Sequence, residues 1–181
     1  MQDEFLVYFG WLAETLKQPT EKFFGAGTEE YAIIEQLKAG WGKEDTAGLL
    51  RRLTAEYGAK AGQTVEKYLE RVISQDWADI GREKAHEGSE IDDFIHLLWD
   101  PLKEQGFDFT SSDTNGRVEF CVTKCPIAEL AEKTGLHEWL YHLACSTDYH
   151  TSRAFSPKIG FQRTKELVRG DDHCDHTYYY R

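Results

Sequence analysis

Apolar side chains at Val65, Tyr68, Leu69, Val72, Ile73, Trp77 and Ile80 recur at the three- and four-residue spacing of an α-helix. A stripe this long must be buried along one face, so helix packing governs what the first half of the chain can become. Shorter stripes flank it: Phe5, Tyr8, Phe9, Leu12 and Leu16, and then Leu49, Leu50, Leu53 and Tyr57 with Gly58 as a stop. Ile91, Phe94, Ile95, Leu98 and Trp99 form another, opened by Ser89 with Asp92 three residues on, a capping-box-like start. Residues 28–39 give a weaker helix punctuated by Gly25, Gly27, Gly40 and Gly42. Packing between helices accounts for all these stripes.

The period changes after Gly106. Residues 107–111 and 117–124 read as strands around the turn chemistry of Asp113, Asn115 and Gly116. Pro126 then suits the first turn of a short helix that runs to Thr134, stopped by Gly135. A longer helix is predicted over 136–151, and a second hairpin over 159–168 and 174–180 around Gly170-Asp171. The expected fold is α+β: a helical region over 1–106 packed on an α+β region over 107–181 as one structural domain. Its two hairpins form a four-stranded antiparallel sheet backed by helices.

Composition narrows the function classes. There are 32 acidic and 21 basic side chains, a formal charge of −11, and the only basic doublet, Arg51-Arg52, lies in a helical pattern beside Glu56. Such a chain repels a phosphate backbone, so nucleic acid is not an expected partner. No apolar run reaches the ~20 residues that span a bilayer, and acids at Asp3 and Glu4 do not fit a secretory signal. A cytoplasmic protein is therefore expected, with a small-molecule substrate, no membrane partner and room for a homo-oligomer. In a reducing compartment Cys121, Cys125, Cys145 and Cys174 would be thiols rather than disulfides.

Polar residues then stand where apolar ones are due. In an extended 159–167 segment, Arg163 and Lys165 share a face with Ile159, Phe161 and Leu167. A buried cation needs an anion, either an internal carboxylate or a ligand carboxylate gripped by two parallel hydrogen bonds. Along one helix His137, Tyr141, Cys145 and Asp148 would form a continuous band able to donate, accept, titrate and attack. In the last strand Cys174, His176, Tyr178 and Tyr180 share one face, and Asp175, Thr177 and Tyr179 the other. Cys125, just before Pro126, would feel the positive end of a helix dipole, which lowers a thiol pKa; burial as an ordinary core cysteine is the alternative. No cofactor is expected. Zinc bound by Cys125, Cys145 and Cys174 with an aspartate or histidine is the one metal site the residue types allow, though no C-x-x-C pair supports it.

Cys125-Pro126-Ile127-Ala128-Glu129, Cys145 with Asp148, Phe161 to Arg163, and Gly170-Asp171-x-x-Cys174-Asp175 together resemble the C-terminal signature of the 2-aminothiazoline-4-carboxylate hydrolase family, over about residues 117–181. The last element also resembles the small-molecule-binding domain named after vinyl reductase. His176 departs from the pattern, which places an aromatic residue after Cys-Asp. The resemblance implies hydrolysis of a C–N bond in a small carboxylated cyclic amidine, giving an N-carbamoyl cysteine; a non-catalytic binding or sensor domain is the alternative. It implies Cys125, Cys145, Asp148 and Cys174 as catalytic candidates, and Arg163, Tyr141, His142 and Asp175 as substrate-binding ones. His137, His142 and His150 are candidate bases.

Overall fold

The computed structural model describes residues 3–181, which form two compact units, one ending at Ile73 and the other covering 74–181. The first unit is all helical: α1 (Glu4–Phe9), α2 (Leu12–Thr15), α3 (Glu29–Gly40), α4 (Thr46–Tyr57) and the first half of α5 (Lys60–Lys84). The first stripe is thus divided between two short helices, yet Phe5, Phe9, Leu12 and Leu16 are all buried. Side chains cap the orphan amides: Asp3 accepts from Phe5 N, Thr28 from Tyr31 N and Asp45 from Gly48 N. The fully buried Tyr68 of α5 shares its hydroxyl proton between the Thr15 and Gln18 carbonyls, at 2.9 and 3.0 Å.

The second unit begins with the remainder of α5 and α6 (Glu90–Glu104), then β1 (Asp108–Thr114), β2 (Arg117–Lys124), α7 (Pro126–Thr134), α8 (His137–Leu143), α9 (Asp148–Phe155), β3 (Ile159–Gln162) and β4 (Cys174–Tyr180). The α+β expectation holds: one antiparallel sheet in the order β1-β2-β4-β3. Asn115 and Gly116 both take positive φ, so a two-residue turn joins the paired Thr114 and Arg117. Ser89 does not cap α6; its hydroxyl donates to Asp93, not Asp92.

Alternation gives the sheet an apolar face. Val118, Phe120 and Val122 of β2 lie opposite Tyr178, His176 and Cys174 of β4 and are packed with Ile91, Phe94 and Trp99 of α6. Trp99 stacks flat on Phe120 at 3.9 Å, and its indole N–H donates to Tyr178 Oη at 3.3 Å. Ring pairs of this kind add about 0.5–1.5 kcal/mol each beyond their area. Beside these apolar residues the face carries polar groups at Cys174 and His176.

Two predicted elements are shorter than expected. The 136–151 helix breaks at Ala144, whose φ of −125° and ψ of −68° end α8; a 3-10 turn at Cys145–Thr147 leads into α9. The 159–168 strand ends at Gln162 because Asp175 accepts the amides of Thr164 and Lys165, at 2.7 and 2.6 Å, turning the chain off the sheet. Lys165 is therefore not inward-facing; it is half exposed and pairs with Asp172.

Candidate functional site

The turn after β3 carries Arg163 into the interior, where its side chain keeps 1% of its exposure. Four of its five N–H donors are taken by anions or a carbonyl. Nη1 donates to Asp148 Oδ2 at 2.5 Å, Nε and Nη2 to Glu166 Oε1 at 3.1 and 2.8 Å, and Nη2 also to the Cys145 carbonyl at 3.0 Å. The fifth faces His176 Nε2, 3.3 Å from Nη1. Glu166 is in turn paired with Arg169 Nε at 3.2 Å. Of the two partners open to Arg163 in the sequence, the structure supplies the internal carboxylates. Tyr149 and Phe161 flank the guanidinium plane, 5.4 and 5.8 Å from its carbon to their ring centres.

Asp148 is the first residue of α9, delivered there by the break at Ala144. Burial is the largest influence on its carboxyl and pushes its pKa up, but His176 and Arg163 together outweigh it and hold it below the ordinary value. Asp148 Oδ2 lies 3.3 Å from His176 Nε2, so the histidine nitrogen stands between a fixed donor and a fixed acceptor. The other ring nitrogen, Nδ1, is buried with no hydrogen-bond partner. The ring is 8% exposed, edge-on to Trp99 at 5.0 Å and beside Phe161 at 5.7 Å.

Three of the four cysteines share this interior. Cys125, Cys145 and Cys174 are close enough to influence one another and Asp148 electrostatically. All three thiols are pushed up by burial. For Cys125 this reverses the expected depression: the amides of Ala128 and Ile127 at the start of α7 pull the pKa down, but burial wins and raises it to about 11. Cys145 goes well above the ordinary value despite the neighbouring Arg163. Cys174 is raised as well, with the Leu167 N–H, donating to its sulfur at 3.2 Å, pulling the other way. Among the described residues no three histidine, cysteine, aspartate or glutamate side chains are arranged to hold a metal ion.

The remaining candidates lie outside this centre. Tyr141 lies under Arg169, 3.7 Å from guanidinium carbon to ring centre, and His142 packs edge-on to Tyr141. The His137 ring is tied to the Val168 carbonyl at 2.9 Å. Asp175 stands on the opposite face of β4, its carboxylate taken by the 164–165 turn. It lines a polar groove of about 460 Å³ with Ser112, Arg117, Glu119, Cys121 and Thr177. Cys121 is thus on the far side of the sheet from the other three sulfurs. Glu166 and His176 were not among the candidates read from the sequence. The signals for His176 were its place on the Cys174 face of the last strand and its departure from the aromatic residue of the motif.

Among the described residues no helix is long and apolar enough to cross a membrane. No curated protein matches the chain. A family model described as L-2-amino-thiazoline-4-carboxylic acid hydrolase matches residues 22–178, well beyond the C-terminal third that carries the motifs. With that match spanning most of its 181 residues, the chain belongs to the L-2-amino-thiazoline-4-carboxylic acid hydrolase family.

Proposed function

We propose that this chain hydrolyses a small carboxylated cyclic amidine of the 2-aminothiazoline-4-carboxylate kind. The observation that carries the proposal is the family match over residues 22–178. The buried Arg163, Asp148 and Glu166 network supports it by supplying fixed charges beside three sulfurs. Fixed charges in a dry interior stabilise a polar transition state without reorganising.

Atom balance sets the bond that breaks. An N-carbamoyl cysteine keeps both C–N bonds of the amidine carbon, so the ring opens at carbon–sulfur, not at carbon–nitrogen as first expected. Water is the nucleophile in this reading. Ionising Cys125 at pH 7 from a pKa of about 11 costs about 5 kcal/mol before any bond forms. The thiols therefore shape the wall of the site. Asp148, held ionised, suits the amidine nitrogens as an anionic neighbour, and Arg163 keeps Asp148 charged and in place. For Arg163 itself to take the substrate carboxylate, one of its present acceptors must move aside.

Incubation of the purified protein with L-2-aminothiazoline-4-carboxylate tests the proposal. Release of one free thiol per ring opened, with N-carbamoyl cysteine identified by mass, is the expected result. A non-catalytic binding domain of the vinyl-reductase type is the second reading, favoured by the protonated thiols and the occupied donors of Arg163. Saturable binding without thiol release selects it. Neither binding nor thiol release removes both readings.

A further inference from the structure

His176 presents a combination that nothing in the packing uses. Its Nε2 lies 3.3 Å from Arg163 Nη1, which can only donate, and 3.3 Å from Asp148 Oδ2, which as a carboxylate only accepts. Either tautomer of the ring therefore keeps a partner at Nε2. Neither finds one at Nδ1, which is buried and unpaired. Leaving a buried polar atom unmatched costs about 1–3 kcal/mol. An atom of this kind beside a charged pair points to a partner that arrives with the ligand. The residue is also where this chain departs from the aromatic residue of the motif.

We infer that His176 is the proton-transfer residue of the site, working through Nδ1 on the attacking water and then on the leaving sulfur of the ring. The inference rests on the hydrolase reading given above. In the base form Nε2–H donates to Asp148 and Nδ1 holds a lone pair. As the water oxygen bonds to the amidine carbon, Nδ1 takes one water proton, and the second ends on the ring nitrogen. The carbon–sulfur bond then breaks with its electron pair going to sulfur, and the Nδ1 proton follows it, leaving a thiol and a carbamoyl group. No oxidant, reductant or other reactant is needed. The imidazolium formed midway keeps its Nε2–H on Asp148, so no partner changes during the cycle. The charged groups against the ring are Asp148 on α9 and Arg163 after β3; beyond them, Glu166 pairs with Arg163, and Cys125 before α7, Cys145 before α9, and Cys174 and Tyr178 on β4 lie within electrostatic reach of Asp148.

The test compares wild type, His176→Gln and His176→Asn with L-2-aminothiazoline-4-carboxylate, following thiol release across pH. His176→Gln keeps an amide near the Nε2 position, where it can still meet Arg163 and Asp148; His176→Asn keeps one near Nδ1. Both lack a titrating ring. For both, the expected result is a kcat lower by about 10²–10⁴-fold, with KM changed far less and the acid limb of the pH–kcat profile gone. Thermal melting and near-ultraviolet circular dichroism establish that each variant is folded. If one does not fold, the other decides; if neither folds, ring nitrogen resonances of ¹⁵N-histidine-labelled wild type decide. Those resonances are expected to show Nδ1 of His176 shifting when substrate or N-carbamoyl cysteine saturates the protein, and an unmoved Nδ1 overturns the inference. Folded variants within threefold of wild type, with the acid limb intact, overturn it while leaving the hydrolase reading standing. A wild type that neither binds nor opens the ring overturns both.

Discussion

Arg163 gathers two carboxylates, a carbonyl and an imidazole around one buried guanidinium, and the cost of removing it follows from what is left behind. Arg163→Met would strand Asp148 and Glu166 in the interior; loss of about 3–5 kcal/mol in urea unfolding is expected, against under ~1 kcal/mol for the exposed pair Lys17–Glu14. Asp148 adds a pH signature. Its pKa is depressed in the fold, so its contribution to stability is complete above the unfolded value of about 3.9 and is lost as pH falls through the folded one. Unfolding of Asp148→Asn and wild type should therefore differ most near neutral pH and converge in acid. The thiols give a third outcome. With Cys125 at about 11 and Cys145 also pushed well up by burial, iodoacetamide should label them slowly at pH 7 in the native protein. Peptide mass mapping should show labelling accelerate as pH rises towards 11, and in urea. Rapid native labelling of Cys125 at pH 7 would instead restore the dipole-activated thiol. The sequence placed Cys125 correctly at the start of a helix, but an N-terminal position does not reveal how deeply the sulfur is covered, and burial is the larger effect.

At the scale of elements, contacts distant in sequence decide what local periodicity leaves open. The long stripe ending at Ile80, the capless stretch opened by Pro126 and the Asn115-Gly116 turn were legible because each depends on residues within a few positions of itself. The break at Ala144 and the end of β3 were not. The second needs the carboxylate of Asp175, ten or eleven residues further on, to displace a sheet ladder. Gly81 shows the same dependence on distant contacts. A Cβ there would collide with the carbonyl of Phe155, so α5 and α9 touch backbone to side-chain position with no room for a methyl group. Alanine is the better helix former by about 1 kcal/mol, yet Gly81→Ala is expected to lower stability by about 1–3 kcal/mol. Thermal melting reads the sign directly, and a raised Tm would mean that the two helices can separate freely.

Taken as a whole molecule, the chain is a family member whose likeness extends into a helical half that carries no motif of its own. That half was legible as helices but not as part of the family, because amphipathic stripes record only which face is covered. The candidate site was legible as a set of residue types, with Arg163, Asp148, Cys125, Cys145 and Cys174 brought together; His176 was legible only as a departure on the Cys174 face, and Glu166 emerged only from coordinates. The sheet order β1-β2-β4-β3 has a further consequence for synthesis. The strand that lies between β2 and β3 is the last of the four to leave the ribosome. Until residues 174–180 emerge, β2 has an open edge, its core residues Val118, Phe120 and Val122 lack the cover of β4, and β3 has no partner strand. Nascent chains stalled before Cys174 should therefore be cut by protease throughout 108–162 and should recruit chaperones. Chains stalled far enough beyond Tyr180 to clear the exit tunnel should resist, and the sheet acquires its shape as a single late event rather than strand by strand.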